Sequence, residues 1–197
     1  MRPQLLDRME ALGHKVFEDG DYNLNIIGVR KKDGTPNQFD DWLCVVYKEN
    51  GEWLIKTWGI TTDPGTFWLG HPMKVTGTAI LVPGQYRGSH KLGKHQGRYP
   101  ALCQCKPVKV YRDSNMDEIH DMDPDTIEEG IFGINIHKAG LASTEVNKWS
   151  AGCQVFARSN NFDDFMALCN KAAETWGDTF TYTLIREEDL EDGDLVV

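Results

Sequence analysis

Asn50-Gly51 constrains the fold of this chain more than any other pair of residues. It separates two short runs of alternating apolar character, residues 42–47 and 52–59. Both residues tolerate the positive φ of a type I′ turn, whose twist matches that of two antiparallel strands. Strand-like runs recur at residues 75–82, stopped by Pro83-Gly84, and at 101–112, 132–137, 153–157 and 179–185. Residues 61–66 are turn-rich, and residues 87–99, basic and punctuated by glycine, read as a loop with short strand pieces. Helical spacing occurs twice. Leu5, Leu6, Met9, Leu12 and Val16 set one helix over residues 4–16. Phe162, Phe165, Met166, Leu168, Cys169 and Ala172 line a second over 161–176, capped by Asn160 or Asn161 and ended by Gly177. There is no internal repeat. The expectation is one mainly β (α+β) domain over residues 1–197 with a helix near each terminus. It divides into a helix and extension over 1–43, a core over 44–185 and an acidic tail over 186–197.

Composition narrows what this domain can engage. Apolar side chains make up 40% of the chain and charged ones 26%, enough to bury a core. A net charge of −9 argues against nucleic acid, whose phosphates demand basic patches, and gives no pull toward other anionic polymers. Six acids and one base fall in residues 186–194, which reads as a solvated end. No apolar stretch approaches the ~20 residues of a membrane helix. Residues 1–19 are charged throughout without a signal-peptide core, so the expectation is synthesis in a cytoplasm and no export by that route. Five cysteines, an odd number, argue against a disulfide framework. Cys103-Gln104-Cys105 lacks the second pair that structural zinc needs.

The chemistry concentrates in Asn135-Ile136-His137 and, after a polar loop, Trp149-Ser150-Ala151-Gly152-Cys153-Gln154-Val155-Phe156. A thiol and an imidazole each sit at the end of a short apolar run. Ser150, Ala151 and Gly152 leave room for a substrate beside Cys153, and Gly152 allows backbone N–H groups to face an oxyanion. A thiol is a strong nucleophile but little ionised at neutral pH, so it needs a base; His137 is the nearest in sequence. His90 and His95 lie in the 87–99 segment and could face a cleft.

This arrangement resembles the L,D-transpeptidase catalytic domain (the YkuD-type fold), whose motif is a His, a loop of about this length, then Ser/Thr-x-Gly-Cys and an apolar strand. Val82-Pro83-Gly84-Gln85-Tyr86 is similar to a Pro-Gly strand end that precedes the motif in that family. The resemblance spans residues 60–156 and implies a β-sandwich-like fold acting on bacterial peptidoglycan stem peptides. By that resemblance Cys153 attacks the carbonyl of an amide between an L-centre and a D-residue, and His137 takes the thiol proton. The carbonyl of Lys138 orients the imidazole, the N–H groups of Gly152 and Cys153 hold the oxyanion, and Ser150 shapes the site. Trp149, Tyr86, His90, His95 and Gln154 are the expected substrate contacts, and no cofactor is required. Ala151 and Gln154 depart from the family pattern and bear on substrate handling, which favours hydrolysis over crosslinking. Without a leader, the expected context is a phage-derived lytic enzyme acting on the host cell wall, released through a membrane lesion or carried in a virion.

Three alternatives stand beside this. A papain-like amidase would place its Cys upstream of its His at the start of a helix, the reverse of the order here. A non-catalytic cell-wall-binding or virion module would keep the fold without the activity. Separately, Asp113, Asn115, Asp117 and Asp121 alternate like the front of a calcium loop, but Glu118 replaces the usual glycine; a plain acidic surface loop is the other possibility. Trp58, Phe67, Trp68 and Tyr99 serve either core packing or substrate grip, with Trp149 best placed for the latter.

Overall fold

Eight strands close into a barrel in the computed structural model, which describes residues 1–191, 193 and 194. In chain order the elements are α1 (Gln4–Ala11), β1 (Asn25–Arg30), β2 (Asp41–Glu49), β3 (Glu52–Thr61), α2 (Thr66–Gly70), β4 (Thr78–Leu81) and β5 (Gly84–His95). There follow β6 (Tyr99–Gln104), β7 (Val108–Asp113), β8 (Glu128–Gly130), β9 (Ile136–Lys138), β10 (Gln154–Phe156), α3 (Ser159–Trp176) and β11 (Thr179–Arg186). The barrel runs β1-β11-β5-β6-β9-β10-β3-β2, and a smaller sheet runs β4-β7-β8. The mainly β expectation holds. Where two open layers were expected, the larger sheet instead closes on itself, because β1 pairs with both β2 and β11.

The Asn50-Gly51 hairpin forms as expected: both residues have positive φ, and β2 pairs with β3 in register from Asp41↔Ile60 to Glu49↔Glu52. Alternation along the strands sends Ile26, Leu43, Val45, Ile60, Leu102, Ile136, Phe156, Tyr182 and Leu184 into the main core, with Phe162 and Phe165 of α3 packed among them. Burying each of those phenylalanines stabilises the fold by ~1.5–3 kcal/mol. The opposite faces of β1 and β2 are also buried, since Ile27, Val29, Cys44 and Val46 pack under Leu5, Leu6 and Met9 of α1. Hence β1 has no polar face, and no alternation marks it in the sequence. Gly28 makes room for a neighbour, because a Cβ there would collide with the Tyr182 hydroxyl.

Several boundaries shift. The proposed division after residue 43 cuts through β2 and would leave β1 outside the core, although β1 is a fully buried barrel strand. Residues 87–99 are not a loop: most belong to β5, whose glycines are accommodated in a twelve-residue strand with a register shift opposite Phe180 and Tyr182. Residues 101–112 are two strands in different sheets, broken around Pro107. α3 starts at Ser159 with Arg158 at the cap position and no side-chain cap. The acidic tail is partly anchored: Arg8 bonds Asp194 at 3.2 Å and also pairs with Glu191. The tail's Asp192 and residues 195–197 lie outside the described residues. No helix among the described residues is long and apolar enough to cross a membrane.

Candidate active site

β9 and β10 are parallel neighbours, with Gln154 opposite Ile136 and Val155 opposite His137. The pairing extends one residue upstream, where the Gln154 N–H donates to the Asn135 carbonyl at 2.9 Å. Ile136, Gln154 and Phe156 are fully buried and turn inward, so the pleat sends His137 and Cys153 to the outer wall. They are diagonal neighbours on that face, and the Cys153 thiol is not within hydrogen-bond reach of His137 Nε2. Sequence reasoning placed each at a strand end; the parallel register sets both on one face.

His137 is 2% exposed. Its Nδ1 lies 2.9 Å from the Lys138 carbonyl and 3.1 Å from the Tyr99 hydroxyl, which is itself 3.1 Å from that carbonyl. A carbonyl only accepts, so Nδ1 carries the proton and Nε2 presents a lone pair. Nε2 is buried and has no hydrogen-bond partner. His95 stacks on the ring with centroids 3.9 Å apart, and its own Nδ1 accepts from the Asn135 amide at 3.2 Å. Burial, reinforced by His95, pushes the His137 imidazole down to about 4 despite the stabilising Lys138 carbonyl. It is therefore neutral at pH 7.

The Cys153 thiol donates to the Gly133 carbonyl at 3.2 Å and accepts from the Asn135 N–H at 3.5 Å. Burial pushes it up to about 11, against the pull of that N–H, with the Cys103 thiol adding to the rise. Thiol and imidazole thus rest as a neutral pair. The S–H is directed at the Gly133 carbonyl and Nε2 is free, so the two groups are not hydrogen-bonded to each other.

Ser150 is fully buried and pins the turn: its hydroxyl donates to the Cys153 carbonyl at 2.8 Å and accepts from the Gly152 N–H at 3.1 Å. The Gly152 N–H is therefore engaged in the turn, which corrects its expected oxyanion role and leaves the Cys153 N–H as the candidate donor. Gly152 itself has φ +117°, and a Cβ would run into the Ala79 carbonyl oxygen. Gly152→Ala is expected to cost about 1–3 kcal/mol of stability from the backbone alone and to displace the thiol. Thermal denaturation should show a lowered midpoint, and the rate of Cys153 alkylation should change with it.

The other expected contacts divide. His95, expected as a substrate contact, stacks on the His137 ring; the Lys138 carbonyl lies against Nδ1; and Trp149 is 46% exposed on the loop that leads into Ser150. His90 is fully buried, with Nε2 2.8 Å from the Ile134 carbonyl and Nδ1 2.8 Å from Ser89 Oγ; burial pushes it down to about 4. It is an interior residue because β5 is a strand there. Gln154 is also interior, accepting from the Tyr182 hydroxyl at 2.8 Å. Tyr86 is half-buried and ties β5 to Val82 at 2.5 Å. These three are corrected from substrate contacts to structural residues. Tyr99, read as core packing or substrate grip, and Asn135, named only as the residue before Ile136-His137, are instead hydrogen-bond partners of the two stacked histidines.

In the acidic loop, the Asn115 amide donates to Asp117 at 2.9 Å and to Asp121 at 2.5 Å, so an N–H donor occupies the space between those carboxylates. Asp113 accepts from the Asp121 N–H at 3.0 Å. Among the described residues no group of three or more His, Cys, Asp or Glu is placed to hold a metal ion.

The fold and the site together define a mainly β barrel domain with a neutral thiol–imidazole pair on its outer wall. No family model, curated protein or solved structure matches the chain.

Proposed function

We propose that the chain is a cysteine acyl-transfer enzyme of the L,D-transpeptidase type, acting on peptidoglycan stem peptides, with hydrolysis favoured over crosslinking. The observation that carries this is the buried, unpartnered Nε2 of a neutral His137 diagonal to the Cys153 thiol. Leaving a buried acceptor unsatisfied costs about 1–3 kcal/mol, and a proton-accepting role accounts for its retention. The small sheet contributes Ala79, Leu81, Val108 and Val110 to the same core as the barrel, which is compatible with the layered fold of that family.

In the reaction, Cys153 Sγ bonds to the amide carbonyl carbon while its proton passes to His137 Nε2. Collapse of the tetrahedral species breaks the C–N bond, and the imidazolium returns the proton to the leaving amine, giving a thioester. Water then attacks the thioester carbonyl, His137 takes the water proton, and the thiolate leaves and is reprotonated. An amine in place of water gives a crosslink. Because Lys138 and Tyr99 hold Nδ1, the base is Nε2 throughout.

A second reading, a non-catalytic cell-wall or virion module, is favoured by one feature: the thiol is raised to about 11 and bonded to Gly133. Incubation of wild type and Cys153→Ala with purified sacculi and muropeptides, read by mass spectrometry, separates the two. Release of a D-residue or a broken crosslink by wild type alone is the expected result. Unchanged substrates with both proteins would leave the module.

A further inference from the structure

Resting on the acyl-transfer reading, we propose that the cavity beside Ala151 is a carboxylate-binding subsite. In it Arg112 would hold the free carboxylate of the residue that follows the scissile amide. This cavity, of about 120 Å³, is lined by Trp68, Lys74, Ala79, Arg112, Phe132 and Ala151 among others. Ala79 is the cross-strand partner of Arg112, and its carbonyl closes on Gly152, so Arg112 stands one strand from the turn that carries the nucleophile.

Arg112 is 7% exposed and its guanidinium is incompletely matched. Its Nε bonds Glu128 at 2.8 Å and its Nη1 the Gly77 carbonyl at 3.3 Å, while Nη2 is buried without a partner. Phe132 caps the group at 4.7 Å from its ring centroid, and the Lys74 ammonium lies 5.9 Å from the same ring. An anchored guanidinium fork with an unused arm is suited to a planar anion, for which it is rigidly preset. Lys74, exposed and adding a second positive charge, stands at the same cavity of a chain whose net charge is −9. The walls of Trp68, Ala79 and Ala151 suit a small apolar side chain beside that carboxylate.

The test compares Nα-acetyl-L-lysyl-D-alanine with its C-terminal amide, each titrated calorimetrically into the Cys153→Ala protein. The acid is expected to bind roughly tenfold or more tightly than the amide, the size of a charge-assisted hydrogen bond. Arg112→Gln should level the two, and Arg112→Lys should keep part of the preference. Equal binding of acid and amide, no binding of either, or an undiminished preference in Arg112→Gln would overturn the subsite. If Arg112→Gln fails to fold by circular dichroism, the acid–amide comparison and Lys74→Gln still decide it, since Lys74→Gln should shrink the preference. Turnover by wild type is read separately. Charge-selective binding without turnover removes the enzyme and leaves the subsite; turnover with equal KM for acid and amide does the reverse.

Discussion

Replacing His137 with glutamine is expected to slow acyl transfer by about 10²–10⁴-fold, the range a positioned general base contributes. The wild-type pH profile should carry the same information. With Nε2 depressed to about 4, lowering the pH protonates the base only near that value, so kcat/KM should rise through about 4 and stay level across neutrality. A second rise should accompany ionisation of the thiol at about 11. A papain-like thiolate–imidazolium pair would instead make iodoacetamide alkylation of Cys153 fast and flat near neutrality; here alkylation should be slow at pH 7 and climb steadily above it. An acid limb near 6.5 would mean that the imidazole is not depressed, and His137→Gln with full activity would remove His137 from the mechanism.

Two buried neutral histidines also set the acid stability of the fold. His90 and His137 each have a folded-state pKa of about 4, below the unfolded value of about 6.5. Protons therefore bind the unfolded chain first. The contribution of each is fully present above about 6.5, is lost as pH falls toward 4, and is constant below that. A displacement of this size corresponds to about 3 kcal/mol per histidine, and together they reach a large part of the 5–15 kcal/mol of an ordinary domain. Each histidine should add close to one proton taken up on unfolding near pH 5, partly offset by Asp41, whose buried carboxyl is raised by burial and by Asp63 and so releases a proton on unfolding. Urea midpoints should fall between about pH 6.5 and 4.5, and more shallowly in His137→Gln. A midpoint unchanged over this range would mean that water reaches both rings.

The contrast between these histidines shows what the sequence can and cannot convey. Asn50-Gly51, the closing strand at β11 and most of α3 were readable because turn chemistry and one-sided burial leave local periodic marks. β1 was not, since burial on both faces erases alternation. Nor was the fate of residues 87–99, where glycines that suggest a loop sit in a strand. At the site, Cys153, His137 and Ser150 were legible from types and spacing, and Lys138 from the resemblance. His90 and His95, in the same stretch, were indistinguishable until strand parity sent one inward and the other against His137. Tyr99 reaches the imidazole only through the β6–β9 contact, a long-range pairing with no local trace. Gly152 was read as donating an N–H, whereas Ser150 occupies that N–H and the missing Cβ is what matters.

The wall that carries the reactive pair is thinly stitched. β9 meets β6 through the single pair Leu102↔Ile136, and β10 meets β3 through only two, while β2 and β3 share nine. The cylinder is thus unevenly laddered, with one panel held by the burial of Ile136, Val155 and Phe156 more than by backbone bonds. Loosening that panel leaves the β2–β3 and β5–β11 ladders intact. In the proposed reaction, the move of the sulfur from the Gly133 carbonyl toward the imidazole concerns that panel alone, with the rest of the shell as its fixed frame.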